Sequence, residues 1–207
     1  MAKRNFSYVQ VLWMLSCLVL FFAAIHVINV PDDELLGVSR HLGLAMCFAG
    51  VTNLVIFCFK HKKIHGCHWL LADGLSAMCL SFFPLFNQMI PANVIPFFFG
   101  IWELASGVLK FTESTELYEE NIRGWQWFAG IGLVELISGV ASMVKPIDDA
   151  VGMNHVIAII FLVQSVGFLF KLIMYRNLAS SIPLFMQEHD EHKTEIKEKA
   201  IVKARVE

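Results

Sequence analysis

Three carboxylates in this chain stand where a carboxylate is expensive. Glu103 and Glu135 lie in the middle of long apolar runs, and Asp73 lies near the start of a third. A charge at the centre of such a run costs about 2.5–3.5 kcal/mol on insertion scales, so the side chain must face protein or a polar cavity. Keeping the proton on a Glu up to pH 7 costs about 3.7 kcal/mol, at about 1.36 kcal/mol per pH unit above an ordinary value near 4.3. The two magnitudes are close, so two readings stand side by side. Each Glu is either a neutral structural acid bonded to Ser106, Ser138 or a backbone carbonyl, or one of a titrating pair that handles protons. Asp73 sits about one turn inside its run, where Lys110 or Lys171 would reach the same depth and pair with it.

The histidines suggest a different chemistry. His26, His41 and His155 fall near the ends of three apolar runs. An imidazole ordinarily titrates near pH 6.5, which suits a sensor of external acid as well as it suits a plain interfacial side chain. His61, His65, Cys67 and His68 bring metal-ligand types together, with His61 and His65 four residues apart. Their spacing matches no standard zinc motif, and Lys60, Lys62 and Lys63 oppose a cation, so the group is a weak metal candidate and no cofactor is expected. The chain has no H-E-x-x-H, G-x-S-x-G, phosphate-binding glycine loop or C-x-x-C, which points away from an enzyme.

The elements that position these groups are helices in a membrane. Of 207 residues, 57% are hydrophobic and 16% charged, against about 25% charged in soluble domains. The runs reach the roughly 20 residues that cross a bilayer core. A net charge of -2 gives no reason to expect nucleic acid, and five cysteines form no disulfide framework. The spacing predicts an all-α bundle of six transmembrane helices, at about 8–30, 41–59, 69–86, 93–112, 125–144 and 152–175. That makes a membrane domain over 1–179 and a charged tail over 180–207. The first run is too long for a signal-peptide core and is read as a retained helix.

Both glutamates belong to one repeated stretch, Gly100-Ile-Trp-Glu-Leu-Ala-Ser-Gly107 and Gly132-Leu-Val-Glu-Leu-Ile-Ser-Gly139. At about 100° per residue, each copy of G-x-x-E-L-x-S-G puts two glycines, a serine and a carboxylate on one face. In lipid that face is a packing seam, because small residues let two backbones approach. On this reading Glu103 and Glu135 meet at one depth, each about 15 Å from its own end of the helix. The helices also read as three hairpin repeats: Trp13, Trp69 and Trp127 open comparable runs, and Pro31, Pro91 and Pro146 mark the turns.

Orientation follows from Lys and Arg. Lys3, Arg4, Lys60, Lys62, Lys63, Lys110, Arg123, Lys171 and Arg176 fall on the side of the N-terminus, and only Arg40 and Lys145 on the other. Both termini are therefore expected in the cytoplasm. The bilayer is the main partner; the small-residue faces leave room for self-association, and the tail for a cytoplasmic partner.

The third unit, GWQWFAGIGLVELISGVASMVKP followed by GMNHVIAIIFLVQSVGFLFKLIMY, resembles the short-repeat membrane family that includes the acid-resistance protein HdeD. The resemblance is strongest over Gly100–Tyr175. It implies a six-helix protein of the bacterial inner membrane with a stress or acid-resistance association, and it carries no catalytic residues. The alternative from the residues themselves is a small proton or solute transporter that uses Glu103 and Glu135. A continuous polar path through the bundle would favour transport, and a dry, glycine-tight bundle would favour the stress protein.

Overall fold

A computed structural model describes residues 8–31, 34–60, 67–86, 94–119, 124–144 and 152–174. The chain divides into two units, Met1–Lys171 and Leu172–Glu207. Of the second, only residues 172–174 are described, so the expected tail over 180–207 lies outside the described residues, as do His61 and His65. The described elements are six helices: α1 Tyr8–Ile28, α2 Leu35–Lys60, α3 Cys67–Leu85, α4 Ile95–Glu119, α5 Trp125–Met143 and α6 Met153–Met174. No strand occurs among the described residues. Five of the six, all but α3, are long and apolar enough to cross a membrane.

The distribution of polarity is that of a membrane protein. Large apolar side chains such as Phe22, Leu44, Phe82, Leu133 and Ile137 point outward, while Ser16, Asn53, Asp73, Glu103, Lys110, Glu135 and Gln164 are buried. In water this arrangement would expose the apolar surface that burial normally removes. With lipid outside, the apolar surface is solvated and the polar groups find their partners inward.

Two helices differ from the boundaries expected from sequence. α2 begins at Leu35 rather than near His41, and α4 continues to Glu119 rather than stopping near Thr112. The apolar run marks the part of a helix inside the bilayer, whereas the hydrogen-bonded helix ends where tertiary contacts end. At the start of α2, Ser39 and Leu42 are buried; at the end of α4, Ser114 and Leu117 are buried. The Ser114 hydroxyl donates to the Phe111 carbonyl at the base of that extra segment. Pro96 sits in the first turn of α4, where its missing N–H costs nothing. Gly124 and Gly152 precede α5 and α6 with φ of 104° and 91°, a region that disfavours residues with a Cβ.

The closest helix contacts run between neighbours in sequence, α2 with α3 and α4 with α5. Both seams are glycine-lined. A Cβ placed on Gly50 would lie 2.8 Å from the Gly74 carbonyl oxygen, and one on Gly74 would lie 2.9 Å from that of Gly50. Along α4 and α5 the same relation occurs twice: Gly107 stands against Gly132 and Gly139 against Gly100, with each Cβ position 2.9 or 3.0 Å from the facing carbonyl oxygen. The antiparallel register so fixed brings Glu103 and Glu135 to one depth.

Candidate functional site: a buried ionic cluster

All six helices send polar side chains to one buried cluster. From α4 come Glu103, Ser106 and Lys110, spaced by three and seven residues and so on one helical face. From α6 come Gln164 and Lys171 at the same spacing of seven, with Gly167 between them where α4 has Ser106. α5 contributes Glu135 and Ser138, α3 contributes Asp73, α2 contributes Asn53, and α1 contributes the indole of Trp13.

Lys110 is the centre of one half. Its Nζ donates to Ser106 Oγ at 2.7 Å, to Glu135 Oε1, and to Gln164 Oε1 at 3.4 Å. Gly167 makes this arrangement possible, since a Cβ there would lie 3.1 Å from Glu135 Oε1 and 3.3 Å from Lys110 Nζ. Glu103 stands beside this pair without joining it. Its Oε2 accepts from Gln164 Nε2 at 2.8 Å, and its Oε1 lies 3.0 Å from Ser138 Oγ, which is also 3.1 Å from the Glu135 carbonyl oxygen. Glu135 Oε2 is buried without a hydrogen-bond partner among the described residues.

The other half is built on Asp73. Lys171 Nζ and Asn53 Nδ2 donate to Asp73 Oδ2 at 2.7 and 2.9 Å, and Asn53 Oδ1 accepts from Trp13 Nε1 at 3.3 Å. The halves touch, because Lys110 and Ser106 are within electrostatic reach of Asp73. Two buried ion pairs result, Lys110–Glu135 and Lys171–Asp73. In low dielectric such pairs hold best when further hydrogen bonds satisfy the rest of each group; Lys110 meets that condition through Ser106 and Gln164, whereas Glu135 Oε2 does not.

Several sequence expectations change at this point. Glu103 and Glu135 share a depth, but no hydrogen bond joins them; Lys110 takes Glu135, while Gln164 and Ser138 take Glu103. Of the two lysines offered to Asp73, Lys171 is the partner. Lys110 and Lys171 are both buried, so they are core charges and not the interfacial cations of an orientation count.

The histidines do not gather in one place. The rings of His26 and His41 meet edge to face, with centroids 6.3 Å apart, beside an outward-facing apolar groove lined by α1 and α2. His155 instead meets the adjacent side chain, with Nδ1 2.7 Å from Asn154 Oδ1. His68 Nε2 lies 3.3 Å from Glu116 Oε1, whose other oxygen accepts from Trp69 Nε1 at 2.8 Å. Cys67 opens α3, its side chain outside the described residues. Among the described residues no group of three or more His, Cys, Asp or Glu could hold a metal ion.

Sequence reading missed Gln164 and the central position of Lys110. The signal available was the recurrence of E-x-x-S-x-x-x-K in α4 as Q-x-x-G-x-x-x-K in α6, which puts equivalent polar groups on equivalent helix faces.

Against known proteins, residues 74–144 match the family described as a short repeat of unknown function (DUF308), to which HdeD-type membrane proteins belong. The matched segment covers α3 from Gly74 through α5. It contains both G-x-x-E-L-x-S-G copies with Glu103, Lys110 and Glu135, and it excludes Gln164 and Lys171. No curated protein and no solved structure matches the chain.

Proposed function

We propose that this is a non-catalytic integral membrane protein of the HdeD type, supporting tolerance of acid or general stress as a packed bundle and not as a conduit. One observation carries this reading: among the described residues no ionisable side chain is buried in the other half of the core, and Ser81, Ser142 and Asn154 there each donate to a backbone carbonyl. Beyond Glu103, towards the start of α4, the large buried side chains are Phe99, Trp102, Phe161, Leu42 and Ile157, none more than 1% exposed. The Phe161 ring packs edge to face on Phe99 and Trp102, with centroids 5.2 and 5.7 Å apart. Towards the other end the polar groups continue through Lys171 to half-buried Glu113 and Glu116 on α4. A transporter needs a route to both faces, and here the buried ionisable side chains among the described residues lead to one.

The contact between Ser106 and Lys110 has the residue types of a serine–lysine nucleophile pair. A lysine that acts as base must be neutral, whereas Lys110 is tied to Glu135 and both residues are buried. That supports a structural role for the pair.

The test is a pair of measurements. Purified protein in liposomes should pass no more protons than empty liposomes under an imposed pH gradient, while deletion of the gene should lower survival at low pH. Flux well above the empty-liposome control would establish the transport reading instead, and unchanged survival would remove the stress role.

For placement we propose the bacterial inner membrane with both termini in the cytoplasm. With Lys110 and Lys171 set aside as buried, Lys3, Arg4, Lys60, Lys62, Lys63, Arg123 and Arg176 still outweigh Arg40 and Lys145. A cysteine at position 33 should react with an impermeant thiol reagent from outside the cell and one at 62 should not; the opposite pattern inverts the topology.

A further inference from the structure

The cluster holds three buried acids, Asp73, Glu103 and Glu135, and two buried lysines, Lys110 and Lys171. Each lysine is committed. Lys171 donates to Asp73 at 2.7 Å. Lys110 has three protons and three acceptors, namely Ser106, Glu135 and Gln164. Glu103 is left with two neutral neighbours, the Gln164 amide and the Ser138 hydroxyl, and is fully buried. Farther along α4, half-buried Glu113 is within electrostatic reach of Lys171, Asp73 and Lys110 but lies outside this buried group of five. On α2 and α1 the groups facing the cluster, Asn53 and Trp13, are neutral.

We infer that Glu103 is an occupied proton-binding site, a neutral carboxylic acid at neutral pH that brings the buried cluster to zero net charge. The hydrogen bonds close on this assignment. Glu103 Oε1–H donates to Ser138 Oγ at 3.0 Å, the Ser138 hydroxyl proton turns to the Glu135 carbonyl oxygen at 3.1 Å, and Glu103 Oε2 accepts from Gln164 at 2.8 Å. An ionised Glu103 would leave one buried negative charge with no cation of its own, which neither lipid nor the apolar side chains beyond it can solvate. The inference rests on the charge balance and stands apart from any stress role.

Charge balance makes a prediction that a purely local view of Glu103 does not. Gln164 links Glu103 to Lys110, so removing the charge of Glu135 leaves Lys110 without its bonded counter-charge and Glu103 as the cluster's acid with no lysine bonded to it. The measurement is the carboxylic-acid carbonyl stretch in the infrared spectrum of protein in liposomes at pH 7, with Glu113→Gln in the parent and in every variant so that Glu113 cannot contribute to the band. The parent should show a protonated-carboxyl band. Glu103→Gln should abolish it by removing the group, and Glu135→Gln should abolish it by drawing the proton off Glu103. Both exchanges keep the shape and bonding capacity of the side chain, and circular dichroism checks that the helices persist. A parent protein without the band overturns the inference whatever the variants do. A band that survives in Glu103→Gln overturns the assignment, and one that keeps its parent intensity in Glu135→Gln overturns the charge balance.

Discussion

Lys110→Met is expected to destabilise the bundle by about 3–5 kcal/mol, the cost of stranding one partner of a buried ion pair. The lysine satisfies three acceptors at once, Ser106, Glu135 and Gln164, and methionine of similar length satisfies none. Glu135, fully buried and already lacking a partner at Oε2, would lose the cation bonded to it. The stranded carboxylate escapes by taking a proton, which ties the loss to pH. A folded state that binds a proton the unfolded chain does not is favoured as pH falls, so the penalty should shrink by about 1.4 kcal/mol per unit between pH 8 and 6. Adding Glu135→Leu to Lys110→Met removes the stranded charge as well, and should recover most of the loss. Reversible unfolding in detergent at several pH values reads all three. A Lys110→Met loss below about 1 kcal/mol, or one that does not vary with pH, would mean that water or lipid headgroups reach Glu135.

The second large effect is at the glycine seam between α4 and α5. A Cβ on Gly139 would lie 2.8 Å from Leu104 Cγ and 2.9 Å from both the Gly100 carbonyl oxygen and the Leu104 amide nitrogen. Two of those three atoms are backbone, which cannot turn aside as a rotamer can. Gly139→Ala, or Gly107→Ala at the other end of the seam, should therefore cost about 1–3 kcal/mol, and leucine at either site more, as expected for an overpacked interface. Gly37 and Gly130 supply the internal control, since a Cβ at either meets nothing within 4 Å. There alanine should be neutral or stabilise by up to about 1 kcal/mol, through helix propensity alone. Thermal unfolding of the four alanine variants in one detergent separates the two classes. If all four behave alike, the seam is not holding the helices together.

Both results turn on what could be read from the chain without its fold. The sequence by itself determined that this is a helical membrane protein, because runs such as 8–30 and 152–175 are too long and too apolar for anything else. It also determined the α4–α5 seam. Period and residue size together place Gly100, Gly107, Gly132 and Gly139 on two facing stripes, and only close packing uses such stripes in lipid. The shared depth of Glu103 and Glu135 follows from the same register.

The tertiary structure alone decided the pairing. Lys110 and Lys171 lie near the ends of their apolar runs, and a long lysine there reads equally well as an interfacial cation. Whether it turns inward depends on which helix stands opposite and on whether that helix leaves room, as Gly167 does beside Lys110 and Glu135. The helix ends were decided the same way, since Ser114 and Leu117 prolong α4 through burial that local polarity conceals. Gln164 and Asn53 carry no charge, and nothing in their own apolar runs tells which partners they take. They matter because side chains far apart in sequence converge on them, Glu103 on Gln164 across 61 positions and Trp13 on Asn53 across 40. Hydropathy and period are properties of one helix at a time, whereas an ion pair is a property of two.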